Sequence, residues 1–584
     1  MTRRITRVLV ANRGEIAIRV FRAVRELGLE SVAVYSEADR GSLHVRRADH
    51  ACLIGPGAPS ESYLNVERVL AAAVSSGADA IHPGYGFLAE NAGFARACLA
   101  AGLVWIGPPP EAIEAMGSKI GARRRMAAAG VPIVPGTTEQ ITDAARIVEL
   151  GGEFGWPIAI KASAGGGGRG LKVVSEAAEA ERALEAAMRE GQAYFADPTV
   201  YVEKYVEDPR HVEIQVLADL HGAVIHLGER DCTLQRRHQK VLEEAPSPAV
   251  DADLRERMGS MAVEAARAVG YVGAGTIECL LDRRGEFFFL EMNTRIQVEH
   301  TITELVTGID LVRAQIEIAG GAPVPCEQSQ VAIRGHAFEC RINAEDPAAG
   351  FRPAPGRVTR YAEPAGPGVR VDSGVEEGSE IVGLYDPMVA KLCVWDTDRE
   401  RARLRMLRAL DELVVEGVPT LVPLHRLILQ HPSFISGETC AGLVEGELAD
   451  RLAAAGAATA AEPARAAVEQ RAYVVEVDGR RFDVGVGVPL DQGLADELAR
   501  RAERRARGAS ASGGGGAVES PMQGTVLRVE VAEGDTVEPG QVLVIVEAMK
   551  MENEIRAERA GVVGALAVSA GASVRSGERL LTLS

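Results

Sequence analysis

The sequence predicts a multidomain protein of α/β and α+β parts that ends in a small all-β domain. Three observations predict it. Strand and helix patterns alternate from Val8 to about Ile106. A mixed pattern follows to about Glu445, and the last stretch repeats a short-strand motif at a fixed offset. The length of 584 residues also exceeds one hydrophobic core, and roughly three to five domains of about 100–200 residues are expected.

Residues 1–110 form the first predicted domain. Val8-Leu9-Val10-Ala11 reads as a buried strand, and Asn12-Arg13-Gly14-Glu15 turns into a helix with Ile16, Val20, Phe21 and Val24 on its apolar face. A second strand follows at Ser31–Tyr35. Continued alternation implies a parallel sheet with helices on both faces. No G-x-G-x-x-G follows the first strand, so a dinucleotide site is not indicated.

Residues 111–330 are mixed, with short strands such as Pro157–Lys161 and Val212–Leu217. Residues 331–446 form a third part whose strands are interrupted by Pro353, Pro355, Pro364 and Pro367. Residues 447–499 are a connector. Within it, 452–468 is an Ala-rich helix or soft spacer, and 472–488 reads as a hairpin around Asp478-Gly479. Residues 500–516, ending in Gly513–Gly516, have the composition of a flexible linker.

The last domain, 517–584, contains the repeat. Gly524, Val526, Gly534, Val537, Gly540 and Leu543 recur as Gly561, Val563, Gly571, Val574, Gly577 and Leu580, each 37 positions later. A duplicated strand motif with glycine turns predicts a small sandwich or flattened barrel with pseudo-two-fold symmetry.

A net charge of −18 argues against nucleic acid or a membrane surface as partner, because both need a basic face. Arg123-Arg124-Arg125 is either a local phosphate-binding cluster or a solvated helix face. The eight cysteines form no C-x-x-C pair, so a disulfide framework or zinc site is not expected. No apolar run approaches the ~18 residues of a membrane span, and the start lacks the apolar core of a signal peptide. The expected location is cytoplasmic.

Three strings carry chemistry. The first is Glu547-Ala548-Met549-Lys550-Met551-Glu552, just past an apolar strand. A hairpin tip there would present the lysine amine, and soft Met side chains offer an adaptable surface to a modifying enzyme. The second is Lys161-Ala162-Ser163-Ala164, followed by Gly165–Gly168, Arg169 and Gly170. Consecutive glycines let backbone N–H groups converge on an anion and make a mobile lid, though this is not a Walker A motif. The third is Glu278 with Glu291 and Asn293. If the strand continues, positions 291, 293 and 295 share one face and Arg295–His300 extends it. Two carboxylates and an amide oxygen suit magnesium, a hard cation.

The A-M-K-M string resembles the biotinyl domain of biotin-dependent carboxylases over Ala517–Ser584, with Gln523 where the family usually has Pro. Lipoyl domains share the fold but lack this signature. The remaining chain, from about Ile5 to Glu445, resembles biotin carboxylase, an ATP-grasp enzyme. The match includes His82-Pro83-Gly84-Tyr85-Gly86-Phe87-Leu88, Gly117-Ser118-Lys119, Arg210–Gln215, Glu229–Cys232, Arg236–Lys240 and Glu339–Asn343. Thr301 stands where that family usually has Pro, a departure expected to touch backbone stiffness more than chemistry.

The resemblance implies biotin on Lys550, and ATP, Mg²⁺ (or Mn²⁺) and bicarbonate elsewhere. Lys119, Lys161 and His211 would contact nucleotide phosphates or ribose, with the lid at Gly166, Gly167 and Gly168. Glu203 and Lys204 would face the adenine edge, with Gln235 and His238 near the nucleotide. Glu278, Glu291 and Asn293 would hold the metal. Arg295, Gln297 and Val298 would place bicarbonate, Glu299 would be the general base, Lys240 would assist at the phosphate and Arg341 would face biotin.

The implied protein is the α subunit of an acyl-CoA carboxylase, acting on acetyl- or propionyl-CoA. Its expected partners are a carboxyltransferase β subunit, for which the 472–488 hairpin is a candidate docking element, and a biotin protein ligase. A hetero-oligomer is expected. An α subunit for methylcrotonyl-CoA or pyruvate is the alternative enzyme, and a carrier whose ATP-grasp part is only a scaffold is the non-enzymatic one.

Overall fold

The computed structural model describes residues 4–163, 170–195, 197–460, 468–477, 480–489, 517–521, 524–548, 551–575 and 577–584. It divides into two units. One comprises Met1–Pro347 and Pro353–Asp450, the other Ala348–Arg352 and Arg451–Ser584.

The first unit opens with β1 (Arg7–Val10), helix α1 (Gly14–Glu26), β2 (Glu30–Ser36), β3 (His50–Gly55), β4 (Ala80–His82) and β5 (Val104–Trp105). They form the expected parallel sheet, in the order β3-β2-β1-β4-β5. Alternate residues of β1 enter different cores. Val8 and Val10 join Ile16, Val20, Phe21 and Val24 of α1, whereas Leu9 joins Val32, Val34, Ile81 and Phe94. A strand buried on both faces explains the unbroken apolar run.

A small antiparallel sheet follows, made of β6 (Ile158–Ala162), β7 (Leu171–Val174) and β8 (Val200–Lys204) with β6 central. The larger sheet contains β9 (Arg210–Ala218), β10 (Val224–Arg236), β11 (Gln239–Ala245), β12 (Gly273–Leu281), β13 (Phe287–Asn293) and β14 (His336–Asn343). Strands Met388–Asp396 and Val369–Ser373 complete it. The order is β13-β12-β9-β10-β11-β14, then 388–396, then 369–373. The proline-interrupted segment contributes only short pieces before that, such as Gly356–Arg357 and Arg360–Ala362.

In the second unit the hairpin runs Val468–Val477 and Arg480–Pro489, pairing Val477 with Arg480. It starts four residues earlier than the expected span of 472–488. The helix Ala449–Ala460 occupies the first part of the Ala-rich stretch. The linker expectation at 500–516 falls outside the described residues.

The repeat is structural. Strand Gly524–Val529 and strand Gly561–Leu566 have the same burial pattern, as do Thr536–Val537 and Ser573–Val574. The copies also exchange their short strands. Thr536–Val537 pairs with Gly561–Leu566, and Ser573–Val574 pairs with Gly524–Val529. Two four-stranded sheets result, with Val526, Val537, Val563 and Val574 in one shared core. Neither copy buries its apolar face without the other.

Candidate active site

The site grows from alternation along β9. Val212, Ile214 and Val216 face a core shared with Met258, Met261, Ala262 and Ala265 of the helix Ala252–Ala268. His211, Glu213 and Gln215 therefore point to the opposite face. Antiparallel register carries that polar face across the sheet. Glu213 lies opposite Glu278 and Gln215 opposite Thr276. Glu278 in turn lies opposite Glu291, and Thr276 opposite Asn293. Towards the other edge, Glu243 faces Glu339, Arg341 faces Lys391, and Lys391 faces Asp372.

The helix His300–Thr307 packs on this polar row, against β10, β11, β14 and the strand Met388–Asp396. Here the expected continuation of β13 fails. The strand ends at Asn293, so Arg295–Glu299 does not extend its face. The chain instead turns, and Glu299 enters the site as the residue capping the helix, with no exposed surface.

Lys240 on β11 is the centre of the cluster. Its Nζ lies 2.6 Å from Glu299 Oε1 and 2.8 Å from Glu278 Oε1, and it also donates to Glu213. A buried ammonium is tolerable only when so surrounded. Burial alone would lower the Lys240 pKa, but the three carboxylates raise it well above the lysine range. Burial pushes the Glu299 carboxyl up, yet Lys240, Arg341 and Arg230 outweigh it and hold it well below the carboxylate range. Glu299 is therefore ionised. Arg341 is shared between Glu243 and Glu299, at 2.6 and 2.9 Å. Arg230, buried beneath, donates to Glu213 at 2.6 Å and to Gln215 and Thr303 at 2.8 Å.

Arg295 reaches back to Glu90 at 2.9 Å, Asn293 Oδ1 at 3.2 Å and Gln297 Oε1 at 3.3 Å. Gln297 Nε2 donates to Glu278 at 3.3 Å. Lys119, at the start of the helix Lys119–Ala128, pairs with Glu291 at 3.0 Å. His211 Nε2 lies 3.0 Å from Glu278 Oε2. Among the described residues the tight donor clusters are His211, Glu213 and Glu278, and Glu213, Cys232 and Glu299. Glu291 belongs to neither.

On the small sheet, Lys161 and Arg123 both pair with the buried carboxylate of Glu203. Arg123 is thus a buried ion-pair partner, whereas Arg124 and Arg125 are exposed, as the reading of a solvated helix face expects. Glu203 offers its carboxylate to these cations rather than to open space. Lys204 Nζ donates to the carbonyls of Gly155 and Trp156 at 2.7 and 3.2 Å. Gln235 donates to the Cys232 carbonyl at 2.9 Å. His238, in the turn between β10 and β11, has φ 62°. Gly166, Gly167, Gly168 and Lys550 lie outside the described residues. The strands flanking Lys550 pair Ala548 with Met551.

Sequence reasoning passed over Glu243 and Lys391, and it gave no role to Glu213, Arg230 and Glu339 although they lie in the matched strings. The signal was present as single polar residues at period two inside apolar strands. Thr301 also does more than alter backbone stiffness. Its hydroxyl donates to Glu339 and accepts from Cys393 Sγ.

Known proteins match nearly the whole chain. Residues 4–113 match the model for the biotin carboxylase N-terminal domain and 339–446 its C-terminal domain. Residues 118–326 match the ATP-binding domain of the carbamoyl-phosphate synthase L chain, and 516–583 match the biotin-requiring enzyme model. The biotin-dependent acyl-coenzyme A carboxylase alpha3 subunit of Mycobacterium leprae is 45% identical over 98% of both chains. The chain belongs to the biotin carboxylase family.

It is an ATP-dependent biotin carboxylase that carries a biotinyl domain in the same polypeptide. A pyruvate carboxylase subunit of Methanothermobacter thermautotrophicus is 54% identical over 74% of this chain and 88% of its own. The biotin carboxylase domain of Hydrogenobacter thermophilus 2-oxoglutarate carboxylase, solved with ADP, MgADP and bicarbonate, is 46% identical. It superposes with a TM-score of 0.73 over 76% of this chain and 98% of that one. Among the described residues, no helix of this biotin carboxylase is long and apolar enough to cross a membrane.

Proposed function

We propose that this biotin carboxylase is the α subunit of an acetyl- or propionyl-CoA carboxylase, supplying carboxybiotin to a separate carboxyltransferase. The observation that carries this reading is the alignment, over 98% of both chains, with an acyl-CoA carboxylase alpha subunit. That span takes in the carboxylase part, the connector and the biotinyl part together. A pyruvate-directed role is the second reading. It is favoured by the higher identity to a pyruvate carboxylase subunit, which however aligns with only 74% of this chain.

Bicarbonate is a weak nucleophile, so its attack on the γ-phosphate needs a base. Glu299 is ionised, buried and bonded to two cations, Lys240 and Arg341. As it takes the bicarbonate proton, one bicarbonate oxygen bonds to γ-phosphorus and ADP leaves, giving carboxyphosphate. Lys240 and Arg295 neutralise the gathering charge. Carboxyphosphate then cleaves its bond between carbon and the bridging oxygen to give carbon dioxide and phosphate, the phosphate takes the ureido N–H proton of biotin, and Arg341 stabilises the ureido oxyanion as that nitrogen bonds to carbon dioxide.

Glu278, Glu291 and Asn293 would hold the divalent metal. They fit a hard cation by donor type, being two carboxylates from directly paired strand positions and an amide oxygen, Asn293 Oδ1, that accepts from Arg295 at 3.2 Å. When bound, the metal neutralises charge on the transferring phosphoryl group. Lys119 and His211, now paired with Glu291 and Glu278, would be released towards phosphate.

The test is reconstitution with labelled bicarbonate, ATP and either acetyl- or propionyl-CoA, or pyruvate, with and without a β subunit. Label in malonyl- or methylmalonyl-CoA only with β is expected. Labelled oxaloacetate instead would select the second reading, and labelled acyl product without β would overturn the division of labour.

A further inference from the structure

We propose that His300 and Lys391 are positioning residues that orient the Val298 N–H to bind an oxygen of bicarbonate. The proposal rests on the reading of the site given above. Val298 sits in the turn between β13 and the helix His300–Thr307. Both peptides that flank it are held from behind. The Gln297 carbonyl accepts hydrogen bonds from His300 Nδ1 at 2.8 Å and, more weakly, from the His300 backbone N–H at 3.3 Å. The Val298 carbonyl accepts one from Lys391 Nζ at 2.9 Å.

In a trans peptide the C=O and N–H point in opposite directions. Drawing the Gln297 carbonyl towards His300 therefore aims the Val298 N–H away from His300. Among the described residues that N–H has no acceptor. Drawing the Val298 carbonyl towards Lys391 fixes the next peptide, and with it the start of Glu299.

The two anchors suit the task. Lys391 has no exposed surface. Its ammonium also lies 3.2 Å from Glu15 and 4.0 Å from Asp372, so the turn is tied to α1 and to the edge of the sheet. Lys391 is the register partner of Arg341, so the same strand supports the biotin-facing guanidinium. His300 is fully buried. Burial, then Lys391, Arg19 and Arg370 nearby, keeps it neutral. A neutral imidazole that donates through Nδ1 leaves Nε2 unprotonated. Nε2 accordingly has no hydrogen-bond partner and lies 3.9 Å from Glu304.

The experiment uses the full biotinylated chain and three variants, His300→Asn, His300→Gln and Lys391→Met. Bicarbonate-dependent ATP cleavage is measured as separate KM values for bicarbonate and ATP, with a melting curve for each protein. An Asn amide can take the place of Nδ1, whereas Gln reaches the place of Nε2. His300→Gln and Lys391→Met should raise KM for bicarbonate roughly 10- to 100-fold, the scale of misplacing a binding group. KM for ATP should stay near wild type, and His300→Asn should be close to wild type in both. Equal losses in the Asn and Gln variants, or parallel rises in both KM values, would overturn the proposal. If Lys391→Met does not fold, the His300 pair alone decides. An inactive wild type would remove the underlying reading, whereas an active wild type with indifferent variants removes only this inference.

Discussion

Lys240 holds Glu299 at 2.6 Å while holding Glu278 at 2.8 Å. One cation thus couples the proposed base to a proposed metal ligand. Replacing it exposes three buried carboxylates to one another. Lys240→Met should therefore destabilise the fold by about 3–5 kcal/mol, the cost of breaking a buried pair. Glu299→Gln removes one of those carboxylates and should lower bicarbonate-dependent ATP cleavage by about 10²–10⁴-fold while ATP still binds. The double variant should be less unstable than the sum of the singles. Urea titration and nucleotide binding test this. Strict additivity would show that the two groups do not interact, and near-normal turnover of Glu299→Gln would remove it from the chemistry.

Lys550 should carry the biotin. The A-M-K-M string motivates this, as does the pairing of Ala548 with Met551 on the flanking strands. Wild type should show the biotin mass and bind streptavidin, and Lys550→Arg should show neither. Persistent labelling of the variant would place the attachment elsewhere.

Glu15 should make stability fall with rising pH. Burial pushes its carboxyl up to about 7, with Lys391 opposing and Asp372 and Glu339 assisting. An unfolded glutamate titrates near 4.3, about the reference value. Between these values the folded state holds the extra proton, so its stability declines as pH rises through the window. Glu15→Gln removes that dependence. The melting temperature of Glu15→Gln minus that of wild type should grow from pH 5 to pH 8. A flat difference would show that Glu15 is ionised throughout, satisfied by Lys391.

Much of this protein was legible in one dimension because its signals are local. The apolar run at Val8–Ala11 announced a strand buried on two sides, and β1 is that strand. The 37-residue offset announced two equivalent halves, and strands Gly524–Val529 and Gly561–Leu566 bury the same positions. The local strings around Glu278, Glu299 and Arg341 pointed to one site, and these side chains meet around Lys240 and Glu243.

Only the tertiary structure decided how those residues meet. Arg123 and Glu203 are 80 positions apart yet share one buried ion pair. Glu299 does not lie on the strand that carries Glu291, because the chain leaves the sheet after Asn293 and returns as a helix cap. Lys391 lies 93 positions from the carbonyl it holds. Periodicity records which face of a strand a residue occupies, since that depends on near neighbours. The partner of a buried charge depends on strand order and register across the sheet, and that is set by packing at long range.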